Sequence, residues 1–157
     1  MRYLLIDRIL DCKNGQQIKG MKNVAMSEDY LEFHFPKNPV MPGVLLLEAM
    51  VQLATWLQCV STDFAQWFVL ETVHKSKFYG FALPGDQVEI VVDLVPETPS
   101  EETGQDNRRL VFQAVGTVQG QKKIVAEFSG STIPLTDIVD RDEQIHLYKL
   151  LRREMSL

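Results

Sequence analysis

His34 and Glu48 are the two residues of this sequence best suited to passing a proton into and out of a reaction. Histidine titrates near neutrality and is a natural proton acceptor, and a carboxyl group held partly protonated can give a proton back. Fourteen positions separate them, and the segment between holds Pro36, Pro39, Pro42 and Gly43. A helix with Pro42 in its first turn leaves backbone amides at Gly43 and Val44 without carbonyl partners. Those amides favour developing negative charge. One short segment therefore supplies a base, an acid and an oxyanion donor.

Each of these residues also has a plainer reading. Glu48 sits among apolar neighbours, where an ionised carboxylate is costly to bury. It faces solvent at an edge, or is held by a neighbour, or keeps its carboxyl protonated for use. Gln52, one turn further on, is placed to orient that carboxyl or to hold a water. His74 and His146 read as ordinary surface or core histidines. His34 differs because it stands directly before a rigid, proline-bracketed loop.

The elements that must position these groups follow from the pattern. Three prolines exclude both a helix interior and a central strand over His34–Pro42. From Gly43 to about Val60 the chain reads as helix. Before Gln58 its strongly polar side chains are Glu48, Gln52 and Thr55, which form one stripe. The remaining faces are apolar, which predicts a helix buried nearly all round. Ahead of it, residues 3–10 read as a short strand and Ile18–Met26 as a second, after a turn at Asn14-Gly15. Beyond it, Trp67–Thr72, His74–Phe81, Gln87–Val95, Arg109–Gln119 and Lys122–Thr132 read as strands, with a tight turn at Pro84-Gly85-Asp86. This is an α+β pattern, an antiparallel sheet curled around one long helix. Pro96–Asn107 reads as a mobile hairpin loop, and residues 140–155 as a charged helix with Ile145, Leu147, Tyr148, Leu150 and Leu151 as apolar members. The expected organisation is one domain over 1–135, with 136–157 as an appended C-terminal helix.

Composition narrows the function classes. A net charge of −5 over 157 residues, with no basic run among aromatics, excludes general nucleic-acid binding. Cys12 and Cys59 are too few for a disulfide framework or a metal site. The opening residues do not make a secretory signal, and no uninterrupted run reaches the roughly 18 apolar residues of a membrane span, so a cytoplasmic protein is expected. Gly-x-Ser-x-Gly, His-Glu-x-x-His and phosphate-loop patterns are missing from the sequence.

The run His34-Phe35-Pro36, then Pro39-Val40-Met41-Pro42-Gly43-Val44-Leu45, then Glu48-Ala49 with Gln52 resembles the 3-hydroxyacyl-acyl-carrier-protein dehydratases of FabZ type, which have the hot-dog fold. Tyr3–Arg8, Lys22-Asn23-Val24, Glu28, Lys77-Phe78 and Leu83–Gln87 match the same family, so the likeness spans about residues 3–132. It implies that His34 removes the α-proton of a thioester, that Glu48 protonates the departing β-hydroxyl, and that the Gly43 amide stabilises the enolate oxygen. It further implies that Phe35, Pro42, Val44, Gln52 and Phe78 line the substrate site. The reaction implied is dehydration of a (3R)-hydroxyacyl-acyl-carrier-protein to the trans-2-enoyl form in fatty-acid-type biosynthesis, with neither cofactor nor metal. The implied partners are acyl carrier protein and a second copy of the chain, in a homodimer with shared sites or a trimer of such dimers. Glu48 in place of the FabA type's aspartate favours plain dehydration.

Two departures stand out. Phe33 replaces the family's usual glycine before the histidine, a substitution that is strained if that position has positive φ. Tyr79-Gly80 replace the usual arginines, which leaves carrier docking to Lys75, Lys77, Arg108, Arg109 or Arg152-Arg153. The alternatives are a hot-dog thioesterase in which Glu48 activates water, and a non-catalytic dehydratase-like partner subunit.

Overall fold

The computed structural model describes residues 3–96 and 109–154. The expected loop therefore lies almost wholly outside the described residues, and so does Arg108. Six strands form one antiparallel sheet: β1 (Arg8–Lys13), β2 (Gln17–Asn23), β3 (Gln66–Phe78), β4 (Gln87–Leu94), β5 (Leu110–Val118) and β6 (Gln121–Pro134). Their spatial order is β1-β2-β4-β5-β6-β3. Across the sheet lies the long helix α2 (Gly43–Ser61), with a single turn of helix, α1 (Tyr30–Phe33), ahead of it and α3 (Arg141–Arg152) at the end of the chain. The hot-dog arrangement expected from the sequence is the arrangement found.

The core sits where the concave face of the sheet meets α2. Alternation places Val88, Ile90 and Val92 of β4 inward, with Phe112 and Ala114 of β5 beside them and Ile124, Ala126 and Phe128 of β6 next. Met50, Leu53, Ala54 and Leu57 of α2 meet them from above, all buried. Phe68, Phe112 and Phe128 interlock, the first two edge-to-face at 4.8 Å between ring centres. By length and composition α2 is apolar enough to cross a membrane, yet ten of its residues are buried inside this protein. It is a core helix.

Tight turns close the hairpins where glycine supplies positive φ, at Gly15 and at Gly120 beside Gln119. Gly130 has a different task. It lies in β6 between β5 and β3, paired with Leu110 and Leu70, and a Cβ there would stand 1.8 Å from the Val69 carbonyl oxygen. Backbone cannot yield that distance, so Gly130→Ala is expected to cost more than about 4 kcal/mol. A soluble variant with an unchanged melting temperature would disprove it.

Several expectations are corrected. The first strand begins at Arg8, not at residue 3. The two strands expected at 67–72 and 74–81 are one, β3, kept continuous through irregularities between Leu70 and Thr72 and between Val73 and Lys75. Helix α2 is not buried all round, since Val44 in its first turn is 68% exposed and Glu48 is exposed.

Helix α3 forms as expected, capped by the Asp140 carboxylate, which accepts from the Glu143 N–H at 2.9 Å. It is fastened at several points. Arg141 donates to the Asp63 carbonyl and carboxylate at 3.0 and 3.1 Å. The Tyr148 ring lies between Trp56 and Phe64, and burial pushes its phenol up to about 12. Arg152 donates to the Leu10 carbonyl at 3.1 Å.

Candidate active site

Helix α1 ends at His34, whose N–H donates to the Tyr30 carbonyl at 3.0 Å. Phe33 is the last residue of that turn and is not among the residues with positive φ. Its side chain is 76% exposed. Phenylalanine is therefore accommodated without the strain its position suggested. Beyond it the loop folds back on itself. Phe35 and Asn38 exchange backbone hydrogen bonds, and the Val40 N–H returns to the His34 carbonyl at 2.9 Å. The His34–Phe35 peptide is cis, and the two rings stack with centres 4.2 Å apart.

The approach to this loop is fixed by a buried cation. Lys22 is 3% exposed, and its ammonium donates to Glu28 at 2.5 Å and to Asp7 at 3.4 Å. Asp7 also accepts the Asn23 N–H at 2.6 Å. Burial, with Glu28 and Asp7 nearby, drives the Tyr30 phenol upward as well. These pairings tie β2 to the turn that begins α1 and so set where His34 starts.

The imidazole orientation follows from one contact. Nδ1 lies 2.9 Å from the Val40 carbonyl oxygen. A carbonyl can only accept, so Nδ1 carries the hydrogen and the neutral ring keeps Nε2 as an acceptor. The ring lines a hollow of about 570 Å3 together with Gly43, Val44, Phe78, Tyr79 and Phe81. Pro42 is the residue flanking α2 and Gly43 its first member, so the Gly43 and Val44 amides stand at the open end of the helix. An imidazole with a free acceptor nitrogen and helix-terminal donors share this hollow.

Gly43 leaves room for the Phe78 ring, since a Cβ on it would lie 2.6 Å from that ring. Gly43→Ala should swing Phe78 out of the hollow and lower turnover about tenfold to a hundredfold, in line with the cost of misplacing a reacting group. Phe78 is half exposed within the single chain, so circular dichroism should show that chain's fold kept. Unaltered kinetics would show that Phe78 does not shape the site.

Glu48 occupies a second hollow, of about 500 Å3, with Gln52, Val51, Thr55 and the β3 residues Trp67 to Leu70. Gln52 donates to Glu48 Oε1 at 3.0 Å and to the Tyr3 carbonyl at 3.1 Å, while its oxygen accepts the Leu5 N–H at 3.0 Å. Its amide is thereby fixed, and it always offers Glu48 a donor. The two hollows have no lining residue in common. The single chain thus joins His34, Gly43, Val44 and Phe78, and separately Glu48 with Gln52. Phe35 and Pro42 line neither hollow, although Phe35 supports the His34 ring.

Sequence reasoning missed Tyr79 and Phe81, whose only signal was their place after Lys77-Phe78, and the mooring of Gln52 to Tyr3 and Leu5. Of the basic residues considered for docking, Arg152 is engaged with Leu10 and Glu154, and Arg109 donates to Thr72 at 2.7 Å. Lys77 lies over the Tyr79 ring at 4.8 Å, beside the His34 hollow.

The FabA-like domain family matches residues 1–129. This chain belongs to that family. Among its curated relatives, the FabZ 3-hydroxyacyl-[acyl-carrier-protein] dehydratase of Ruegeria sp. (strain TM1040) is 33% identical over 145 residues, covering 89% of this chain and 81% of the relative. The FabZ of Bartonella quintana is 38% identical over 133 residues, covering 83% and 81%. Among solved structures, a Streptococcus mutans protein bound to acetyl CoA superposes with a TM-score of 0.61 at 14% identity, covering 85% of this chain and 94% of that one. A dehydratase heterocomplex from Xenorhabdus doucetiae gives 0.53 at 16% identity, covering 74% and 88%. At such identities these two structures speak to the hot-dog fold alone.

Proposed function

We propose that this FabA-like chain eliminates water from a 3-hydroxyacyl thioester carried on acyl carrier protein, giving the trans-2-enoyl thioester. His34 Nε2 takes the α-proton, and the electron pair moves toward the thioester carbonyl. The Gly43 N–H at the start of α2 donates to the resulting enolate oxygen, a fixed donor of a kind often worth a few kcal/mol. The enolate then collapses, the Cβ–O bond breaks, and Glu48 protonates the departing hydroxyl so that it leaves as water. A proton passed from His34 to Glu48 through solvent resets the pair. The supporting observation is the Nδ1–Val40 contact, which leaves Nε2 as an acceptor in the hollow that the Gly43 amide also lines.

In this reading the acid comes from a second copy of the chain. Strand β3 is an edge of the sheet, and it lines the Glu48 hollow at Trp67–Leu70 and the His34 hollow at Phe78. Two copies of β3 paired antiparallel about a two-fold axis near His74 would set Leu70 against the partner's Phe78. Each Glu48 hollow then meets the partner's histidine hollow. Val73 and Phe78, apolar and exposed on that edge, would be covered.

The test is a panel of 3-hydroxyacyl-carrier-protein substrates followed by mass spectrometry. Loss of one water is expected from the acyl group. Release of free thiol would instead support a thioesterase, and binding without either product a non-catalytic subunit.

A further inference from the structure

We propose that the C-terminal segment Ile138–Leu147 is the end wall of the acyl cavity and sets an upper limit on chain length. The Glu48 hollow is mostly apolar and follows α2 from Glu48 past Val51 to Thr55, with Trp67 and Phe68 of β3 on its other side. Its far side is completed by Ile138, Val139, Gln144 and Leu147. These lie beyond the stretch that matches the FabA-like domain, which ends at residue 129.

The wall is firm. Leu135 is fully buried and donates its N–H to the Ala65 carbonyl at 3.0 Å. Arg141 holds Asp63, and Tyr148 fills the space between Trp56 and Phe64. Of the wall residues Gln144 is buried, at 3% exposure, while Ile138 at the rim is half exposed. Thr55 is also buried there, and its hydroxyl donates to the Val51 carbonyl at 3.0 Å.

The available length follows from helix geometry. Glu48 and Thr55 are seven residues apart, about 10 Å along the axis at 1.5 Å per residue. An extended alkyl chain with carbon–carbon bonds of about 1.5 Å advances about 1.25 Å per carbon. Roughly eight carbons beyond the reacting pair therefore reach the wall. This inference rests on Glu48 acting at the mouth of its hollow, as in the proposed reaction.

Binding is measured with unreactive acyl-pantetheine thioethers of increasing length, using the full chain, alongside turnover of the matching 3-hydroxyacyl thioesters. Affinity should rise about fourfold per methylene and then break, from the cost of leaving a buried methylene unaccommodated. Leu147→Ala should move that break at least two carbons longer, and Leu147→Trp should move it shorter. Val139→Ala serves as the second enlarging variant should either lose its melting transition. A break that stays put in folded variants overturns the wall, even if water is lost normally. A break that moves while no substrate loses water leaves the wall standing and removes the dehydratase reading.

Discussion

His34→Asn is expected to lower water loss from a 3-hydroxyacyl-carrier-protein by about 10²–10⁴-fold, the usual contribution of a positioned general base. Asparagine is the informative replacement because its amide N–H can still donate to the Val40 carbonyl in place of Nδ1. The loop keeps its closing contact while the Nε2 acceptor is gone. His34→Ala removes both and should lose some stability in addition. The comparison separates a chemical role from a structural one. Single-turnover kinetics measure the first and thermal melting the second. An asparagine variant retaining more than about a tenth of the activity would place the base elsewhere.

A second large effect is expected when two inactive chains are combined. His34→Asn and Glu48→Gln should each be inactive alone. Glutamine at 48 still accepts from Gln52, so the helix surface there is preserved. Random pairing after joint refolding makes half the dimers mixed, and each mixed dimer holds one doubly altered and one intact site, so about a quarter of wild-type activity should return. Sites contained within single chains would return none. Val73→Lys, on the exposed edge of β3, should prevent the recovery by setting a lysine opposite the partner's Lys75, and sedimentation should then show monomers.

The residues that could be read directly were those under strong local constraint. Pro36, Pro39 and Pro42 left no regular structure open to their segment, and the apolar run after Gly43 had to be a core helix. The patterns of Gln87–Val95 and Lys122–Thr132 marked strands that the structure places at Gln87–Leu94 and Gln121–Pro134. Elsewhere the deciding contacts were distant in sequence. Val73 read as a break between two strands because the bulges on either side of it register against β6, which the local pattern does not contain. The four residues of α1 were too short for periodicity to detect. Exposure of Val44 and Glu48 could not be read from helix composition, because an apolar helix surface looks the same whether its own sheet or another chain covers it. Trp67 and Leu147 reached one cavity only through the closing of the sheet.

The Gln52 amide makes the front of the chain part of the chemistry's foundations. Three of its hydrogen-bonding positions are spoken for, two of them by the backbone at Tyr3 and Leu5. A peptide handle fused ahead of Tyr3, or a protease that nips the chain there, would tug on the same amide that steadies Glu48. Damage to those first residues would pass for a defect of the carboxylate some forty-five positions away. In handling the protein, its leading end needs the same protection as the His34 loop.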